Sequence, residues 1–284
     1  MLPQRAEAAA GLRRLSGQHI GRAQRSVHPA RGGMFDQRPL LPARRLGILA
    51  GVELAVEIFN IVDAGLKVNL FLNDGAIVKP KDVAFEVEGS SQSILKAERL
   101  VLNCMQRMSG IATKTREIVD LLKDTGTKVL DTRKTTPGLR YIEKWAVRIG
   151  GGVNHRFGLY DMILIKDNHV DYAGGIMQAI ERANQYLVDN NKKLAIEIEV
   201  RNLEELNQVL QTGHVNRILL DNFNFADLRQ AVDIIQGRFI TEASGGITID
   251  NISEYAECGV DYISVGALTH SVRSLDLSLK AIKL

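Results

Sequence analysis

Arg133, Lys134, His155, Arg156 and Lys166 fall in three short runs, DTRKTTPG (131–138), GGGVNHR (150–156) and KDNH (166–169), each placed after a short apolar segment. Lysine and arginine are almost never fully buried without a partner, and five basic groups converging on one spot would repel each other. Around a polyanion they make sense together, and the guanidinium fork suits planar carboxylates in particular. Carboxylates follow: Glu197 and Glu199 in one apolar segment, Asp221 at the end of the next. Glu199 and Asp221 suit Mg²⁺ or sugar hydroxyls. Glu197 and Glu199 are two residues apart, so on a strand they share a face, one free to meet ligand and the other to pair with a lysine. Last come Ser244-Gly245-Gly246 and Gly266-Ala267-Leu268-Thr269-His270. Bare backbone N–H groups at such glycines can cradle a phosphate.

Taken singly, each of these is weak. A lone strand-end lysine is usually a solvated charge, and a Gly-Gly pair serves any turn. His169 and His270 fit as ordinary polar packing, and Met105 and Met108 as core. The order is the signal: a carboxylate-binding half, a ribose or metal sector, and a phosphate cradle.

The elements that must hold these residues change rhythm along the chain. Segment 51–62 carries Leu54, Ile58, Ile61 and Val62 at helical spacing. Segments 66–72 and 83–87 read as strands around a turn that contains Asp74-Gly75, and 92–109 reads as a long helix. This front part predicts a small α/β sandwich with an antiparallel sheet. From about residue 110, short apolar strands alternate with helices. The strands are expected at 127–132, 146–149, 162–166, 194–200, 217–221, 239–243 and 262–266, with helices at 175–188, 203–211 and 225–236. Such alternation means parallel strands with right-handed crossovers, and seven of them predict a complete or partly open α/β barrel related to TIM barrels. Working residues in such barrels stand at the C-terminal strand ends, where the runs above fall. The domains are read as 1–110 (with 1–45 atypical) and a catalytic barrel at 111–270. Residues 271–284 are expected to pack back on the first domain.

The 284 residues are enough for a large domain plus a smaller one. With 45% hydrophobic and 24% charged residues and a net charge of +3, the composition is that of an ordinary globular protein and gives no reason to expect nucleic acid. Cys104 and Cys258 match no metal spacing and read as buried thiols in a reducing compartment. No stretch has the length of a membrane span and no apolar signal core opens the chain, so the expected location is the cytoplasm. Residues 1–33 carry six arginines, Arg5, Arg13, Arg14, Arg22, Arg25 and Arg31, against the single acid Glu7. That composition fits a transit peptide or a non-catalytic terminus.

Several long motifs then carry a family resemblance: ERLVLNCMQRMSGIAT (98–113), DTRKTTPGLR (131–140), GGGVNHRFGLYDMILIKDNH (150–169), EIEV (197–200), ILLDNF (218–223), EASGGI (242–247) and GVDYISVGALTHS (259–271). From about Gly47 to its end the chain resembles quinolinate phosphoribosyltransferases. The resemblance implies an N-terminal α/β sandwich, a seven-stranded α/β barrel, and a homodimer or assembly of dimers with active sites at the subunit interface. It implies that Thr132, Arg133, His155, Arg156 and Lys166 hold the quinolinate carboxylates, with Lys134 near the reacting groups. It implies that Arg99 reaches the site of the partner subunit. Glu199 and Asp221 would face the ribose and Mg²⁺, and Ser244, Gly245 and Gly266 the 5′-phosphate. The arginine-rich front departs from the acidic, glycine-containing start usual in the family.

The implied reaction joins the quinolinate ring nitrogen to C1 of phosphoribosyl pyrophosphate as pyrophosphate leaves, then releases the 2-carboxylate as CO₂. The substrate's own pyridinium accepts the electrons, so no nucleophilic side chain is needed. Three other readings compete: a nicotinate-type phosphoribosyltransferase without decarboxylation, a Schiff-base aldolase using Lys166, and a non-catalytic anion-binding protein.

Overall fold

The computed structural model describes residues 40–42 and 46–281, so the arginine-rich leader lies outside the described residues. The first part is built on two antiparallel sheets. Strand β1 (Leu40–Pro42) pairs with β5 (Val83–Glu88), which pairs in turn with β3 (Lys67–Leu70). A second pair joins β2 (Gly47–Ile48) to β4 (Ile77–Val78), inside the segment read as a turn. Helix α1 (Val52–Val62) buries Leu54, Ala55, Ile58 and Phe59, and the Phe59 and Phe85 rings meet edge to face at 6.0 Å. The Asp74 carboxylate accepts the Val52 backbone N–H at 2.8 Å, so the Asp-Gly turn also caps this helix.

Helix α2 (Ser91–Leu122) starts at Ser90, whose hydroxyl accepts the Ser93 N–H, and runs 32 residues. The sequence suggested a stop at 109, before Gly110. The helix passes through Gly110 because the chain near its C-terminal end crosses it there: a Cβ at Gly110 would lie 2.3 Å from the Arg273 carbonyl oxygen. Glycine is thus required for close backbone approach and does not mark a break. The same crossing lets Leu275 donate its N–H to the Gln106 carbonyl, while the Gln106 side chain donates to the Leu277 carbonyl. Met105 and Met108 are fully buried on this helix.

The second part is an α/β barrel with an open side. Its parallel strands are β6 (Lys128–Leu130), β7 (Ile163–Ile165), β8 (Ile196–Val200), β9 (Arg217–Asp221), β10 (Ile240–Ser244) and β11 (Tyr262–Ser264), in spatial order β6-β11-β10-β9-β8-β7. The strand expected at 146–149 is not a strand. Those residues are the last turn of α3 (Arg140–Ile149), which buries Glu143, Lys144, Ala146 and Val147 and leaves Arg148 exposed. That i, i+1, i+3, i+4 burial is helical, and four apolar-looking residues were too short to tell the two periods apart. The second barrel position shrinks to a single parallel bridge between Val153 and Leu130. Helices α4 (Asp167–Ala173), α5 (Ile176–Asp189), α6 (Leu203–Thr212), α7 (Phe225–Ile235), α8 (Ile252–Glu257) and α9 (Ala267–His270) follow the strands. No helix among the described residues is long and apolar enough to cross a membrane. Cys258 is buried and Cys104 half-buried, both as free thiols.

Candidate active site

The rim begins after β6 with a buried ion pair. Asp131 is fully buried and pairs with the Lys144 ammonium of α3. The Asp131 carboxylate also accepts the His155 backbone N–H at 2.8 Å and the Asn154 side-chain amide at 2.6 Å. Lys144 donates to the His155 carbonyl at 3.0 Å, so this pair grips the His155 residue from both sides of its backbone. A second tie, from α2, holds the neighbouring loop. Arg107 donates to Glu143 at 2.9–3.0 Å and to the carbonyls of Thr269 and Val272. Glu143 in turn accepts the Thr136 N–H and hydroxyl. Helix α3, unread in the sequence, is therefore what fixes both cationic loops.

Those loops present Arg133 and Arg156, both half-buried. Arg156 donates Nη1 to the Met162 carbonyl at 3.2 Å. The Nε of Arg133 and the Nε of Arg156 are both buried without a hydrogen-bond partner. Burial, and then the charge of Arg133, hold the Arg156 guanidinium below its ordinary range. Two partly desolvated cations with unspent donors can take an anion between them. Thr132 turns its hydroxyl to the Lys134 backbone N–H, shaping this loop. The Lys134 side chain runs toward the end of β11, because a Cβ at Gly266 would come within 3.3 Å of its Cδ and 3.2 Å of His270 Nε2. Lys134 thus lies beside Gly266.

Lys166 caps α4 and extends its ammonium to Glu199 at 3.4 Å. Glu199 is largely buried, and burial first, then the nearby Asp221 charge, push its carboxyl up against the opposing pull of Lys166. Asp221 ends β9 directly opposite Ser244 of β10, and Asn222 donates to its carboxylate. Beyond Ser244, Gly245 has a φ of 95°, and a Cβ there would lie 2.2 Å from Asn222 Oδ1 and 2.9 Å from the Asn222 backbone nitrogen. Only glycine fits here, where the turn after β10 presses on the residue that follows β9. Gly266 precedes the four-residue α9 with ordinary helical dihedrals. Arg99 stands exposed on α2 and makes no hydrogen bond or ion pair among the described residues.

His155 sits deeper than the guanidiniums. Its Nε2 lies 2.9 Å from Glu197 and 3.6 Å from Glu242, and Arg217 donates to Glu242 at 3.0 Å. Glu197 and Glu242 are fully buried. Burial pushes His155 below its ordinary value, so the imidazole is neutral near pH 7. Burial, reinforced by the Glu197 charge, pushes Glu242 up to about 7 from 4.5. A carboxyl that holds its proton more tightly when folded stabilises the fold fully below pH 4.5, and that contribution is lost as pH rises through about 7. Thermal melts should therefore show the wild type losing stability relative to Glu242→Gln between about pH 5 and 8. Parallel curves across that window would show that Glu242 titrates normally.

Comparison with known proteins agrees with this architecture. A model of the quinolinate phosphoribosyl transferase C-terminal domain matches residues 111–280, and one of the N-terminal domain of the same name matches 40–109. A mitochondrial quinolinate phosphoribosyltransferase [decarboxylating] of Nicotiana glauca is 47% identical over 253 residues, covering 84% of this chain and 71% of that protein. A probable nicotinate-nucleotide pyrophosphorylase [carboxylating] of Bacillus subtilis is 44% identical, covering 84% of this chain and 81% of that protein. Among solved structures, the nicotinate-nucleotide pyrophosphorylase of Francisella tularensis superposes with a TM-score of 0.87 at 38% identity, over 99% of this chain and 98% of that one. Human nicotinic acid phosphoribosyltransferase, at 12% identity and a TM-score of 0.57, shares the fold alone.

Proposed function

The chain belongs to the quinolinate phosphoribosyltransferase family, and from that premise we propose that it converts quinolinate and phosphoribosyl pyrophosphate to nicotinate mononucleotide, pyrophosphate and CO₂. It is a pentosyltransferase of NAD biosynthesis. The observation that carries the reading is the pair of guanidiniums at Arg133 and Arg156, close enough to feel each other's charge and each with a buried, unbonded Nε. A dicarboxylate gives both forks a partner at once.

In this reading Arg133, Arg156, Lys166 and Thr132 orient the quinolinate carboxylates and His155 lies beneath them. Lys134 stands between that sector and the 5′-phosphate, which the turn at Ser244-Gly245 and Gly266 receives on backbone N–H groups. Glu199 and Asp221 face the ribose, where positive charge develops at C1 as pyrophosphate leaves, and their carboxylates lower the energy of that charge. The second step needs little from the protein beyond orientation, since the pyridinium ring takes the electrons of the departing CO₂. Glu199 and Asp221 also fit Mg²⁺: two carboxylates near each other, with one lysine at 3.4 Å to offset them, form a hard-oxygen donor set with charge to spare. When bound there, the ion would take up charge on the leaving pyrophosphate. We place the reaction in the cytoplasm, a compartment that suits the two free thiols.

The test uses quinolinate labelled at the 2-carboxylate, Mg²⁺ and phosphoribosyl pyrophosphate, with released CO₂ counted. Release that requires phosphoribosyl pyrophosphate is the expected outcome. Pyrophosphate formation from nicotinate without CO₂ release from quinolinate would move the protein to the non-decarboxylating reaction. Borohydride-trapped adducts on Lys166 with a carbonyl substrate would favour an aldolase instead.

A further inference from the structure

We propose that Arg217, Glu197 and Glu242 are positioning residues for quinolinate: a buried charged set that fixes the His155 ring and, through it, the course of the chain into Arg156. The proposal rests on the quinolinate reading above.

The set lies inside the barrel on three neighbouring strands. Glu197 of β8 pairs in register with Arg217 of β9, and Glu242 of β10 lies one strand further. Arg217 reaches back between the two glutamates, donating to Glu242 at 3.0 Å and standing 3.9 Å from Glu197. Its guanidinium is stacked 4.7 Å from the Tyr262 ring of β11, which fixes its plane. A buried charge is costly, and a buried acid pair is costlier. A hydrophobic barrel interior would be cheaper, so the set calls for a role beyond packing.

The role is legible at His155. Its Nδ1 accepts the Arg156 backbone N–H at 2.7 Å. That assigns the ring proton to Nε2, which faces Glu197 at 2.9 Å and Glu242 at 3.6 Å. One ring nitrogen thus faces the acids at ion-pair distance, and the other accepts the N–H of the next peptide. The Asp131–Lys144 pair holds the same residue through its backbone. Arg156 begins where this double grip ends, and its Nε is left without a protein partner. A histidine whose far nitrogen faces a carboxylate is oriented by it, and where such a histidine binds a metal, losing the carboxylate weakens the site by roughly 10–100-fold, the scale taken for the loss here.

The three side chains His155, Glu197 and Glu242 also have the spacing of a metal site. Arg217 argues against that use, because its guanidinium already supplies the positive charge at Glu242. Both oxygens of Glu197 and one of Glu242 lack a well-aligned hydrogen bond. The two acids face each other within hydrogen-bonding reach, Ser264 supports Glu242, and Arg217 supplies the ion pair, so the cluster depends on its members together.

The experiment is a double-mutant cycle read by quinolinate binding calorimetry and by KM for each substrate, on Glu242→Gln, His155→Ala and the pair together. Glu242→Gln is expected to raise the quinolinate Kd roughly 10-fold or more while leaving the KM for phosphoribosyl pyrophosphate within about 2-fold. In the His155→Ala background the further loss should shrink to within about 2-fold, since both changes act through the placement of one ring. Arg217→Lys, which keeps the charge and loses the fork, should repeat the selective loss, and it serves if Glu242→Gln fails to fold. Unchanged quinolinate affinity in both variants, or losses that multiply independently of His155, would overturn the proposal. Absence of CO₂ release by the wild type is a separate failure, that of the quinolinate reading.

Discussion

Arg133→Ala is expected to abolish productive quinolinate binding while leaving the fold and the phosphoribosyl pyrophosphate site intact. The side chain is half-buried, its Nε has no protein partner, and its charge already presses on Arg156. With quinolinate bound, that cost becomes a gain, because a desolvated carboxylate meets a preformed fork. Removing one partner from such a pair costs about 3–5 kcal/mol, chiefly because the other charge is left buried and alone. At about 1.4 kcal/mol per decade, the quinolinate Kd should rise on the order of 10²–10³-fold. Calorimetry with quinolinate and with phosphoribosyl pyrophosphate checks both halves. Free Arg133→Ala protein should lose little stability, because the alanine relieves repulsion with Arg156. Normal quinolinate affinity would remove Arg133 from the site, and equal loss of both substrates would mean the loop itself had collapsed.

The rim was readable because its residues break a simple rule. Arg133, Lys166, Glu199 and Asp221 are charges placed where an apolar strand ends, and the strand-helix rhythm says that such ends converge; Arg156 was reached through a segment that proved helical. Glu197 belonged with Glu199 by the two-residue period, and both indeed occupy the inward face of β8. Glu242 carried the same signal, a charge in the interior of a strand two positions before Ser244, but was read only as part of a longer motif. Arg217, at the first position of β9, gave no such hint: at a strand start a cation normally meets water. What the sequence hid most completely was α3. Two of its charged positions are not solvated. Glu143 and Lys144 are buried and spent on Arg107 and Asp131, partners 36 and 13 residues away. Periodicity reads hydrophobicity, and a helix that buries an acid and a base toward a functional loop looks amphipathic on the wrong side.

Arg99→Ala is expected to abolish turnover although Arg99 touches nothing in its own site. It is exposed on α2 between Leu95 and Leu100, which are 68% and 43% exposed. On the quinolinate reading proposed above, the family resemblance implies a second copy of the chain, which would cover this face and take Arg99 into its cationic rim as a further contact to substrate. The variant should keep its secondary structure and lose activity roughly 100-fold or more, the scale of losing one positioning contact. Complementation separates this from simple damage. Co-expressing Arg99→Ala with Arg133→Ala in equal amounts gives half hybrid dimers. In each hybrid, one site combines an intact Arg133 with an intact Arg99, so about a quarter of wild-type activity should return. Recovery can arise only if the two arginines of one site come from different chains. No recovery from stable hybrid dimers would confine each site to its own subunit and leave Arg99 a surface residue.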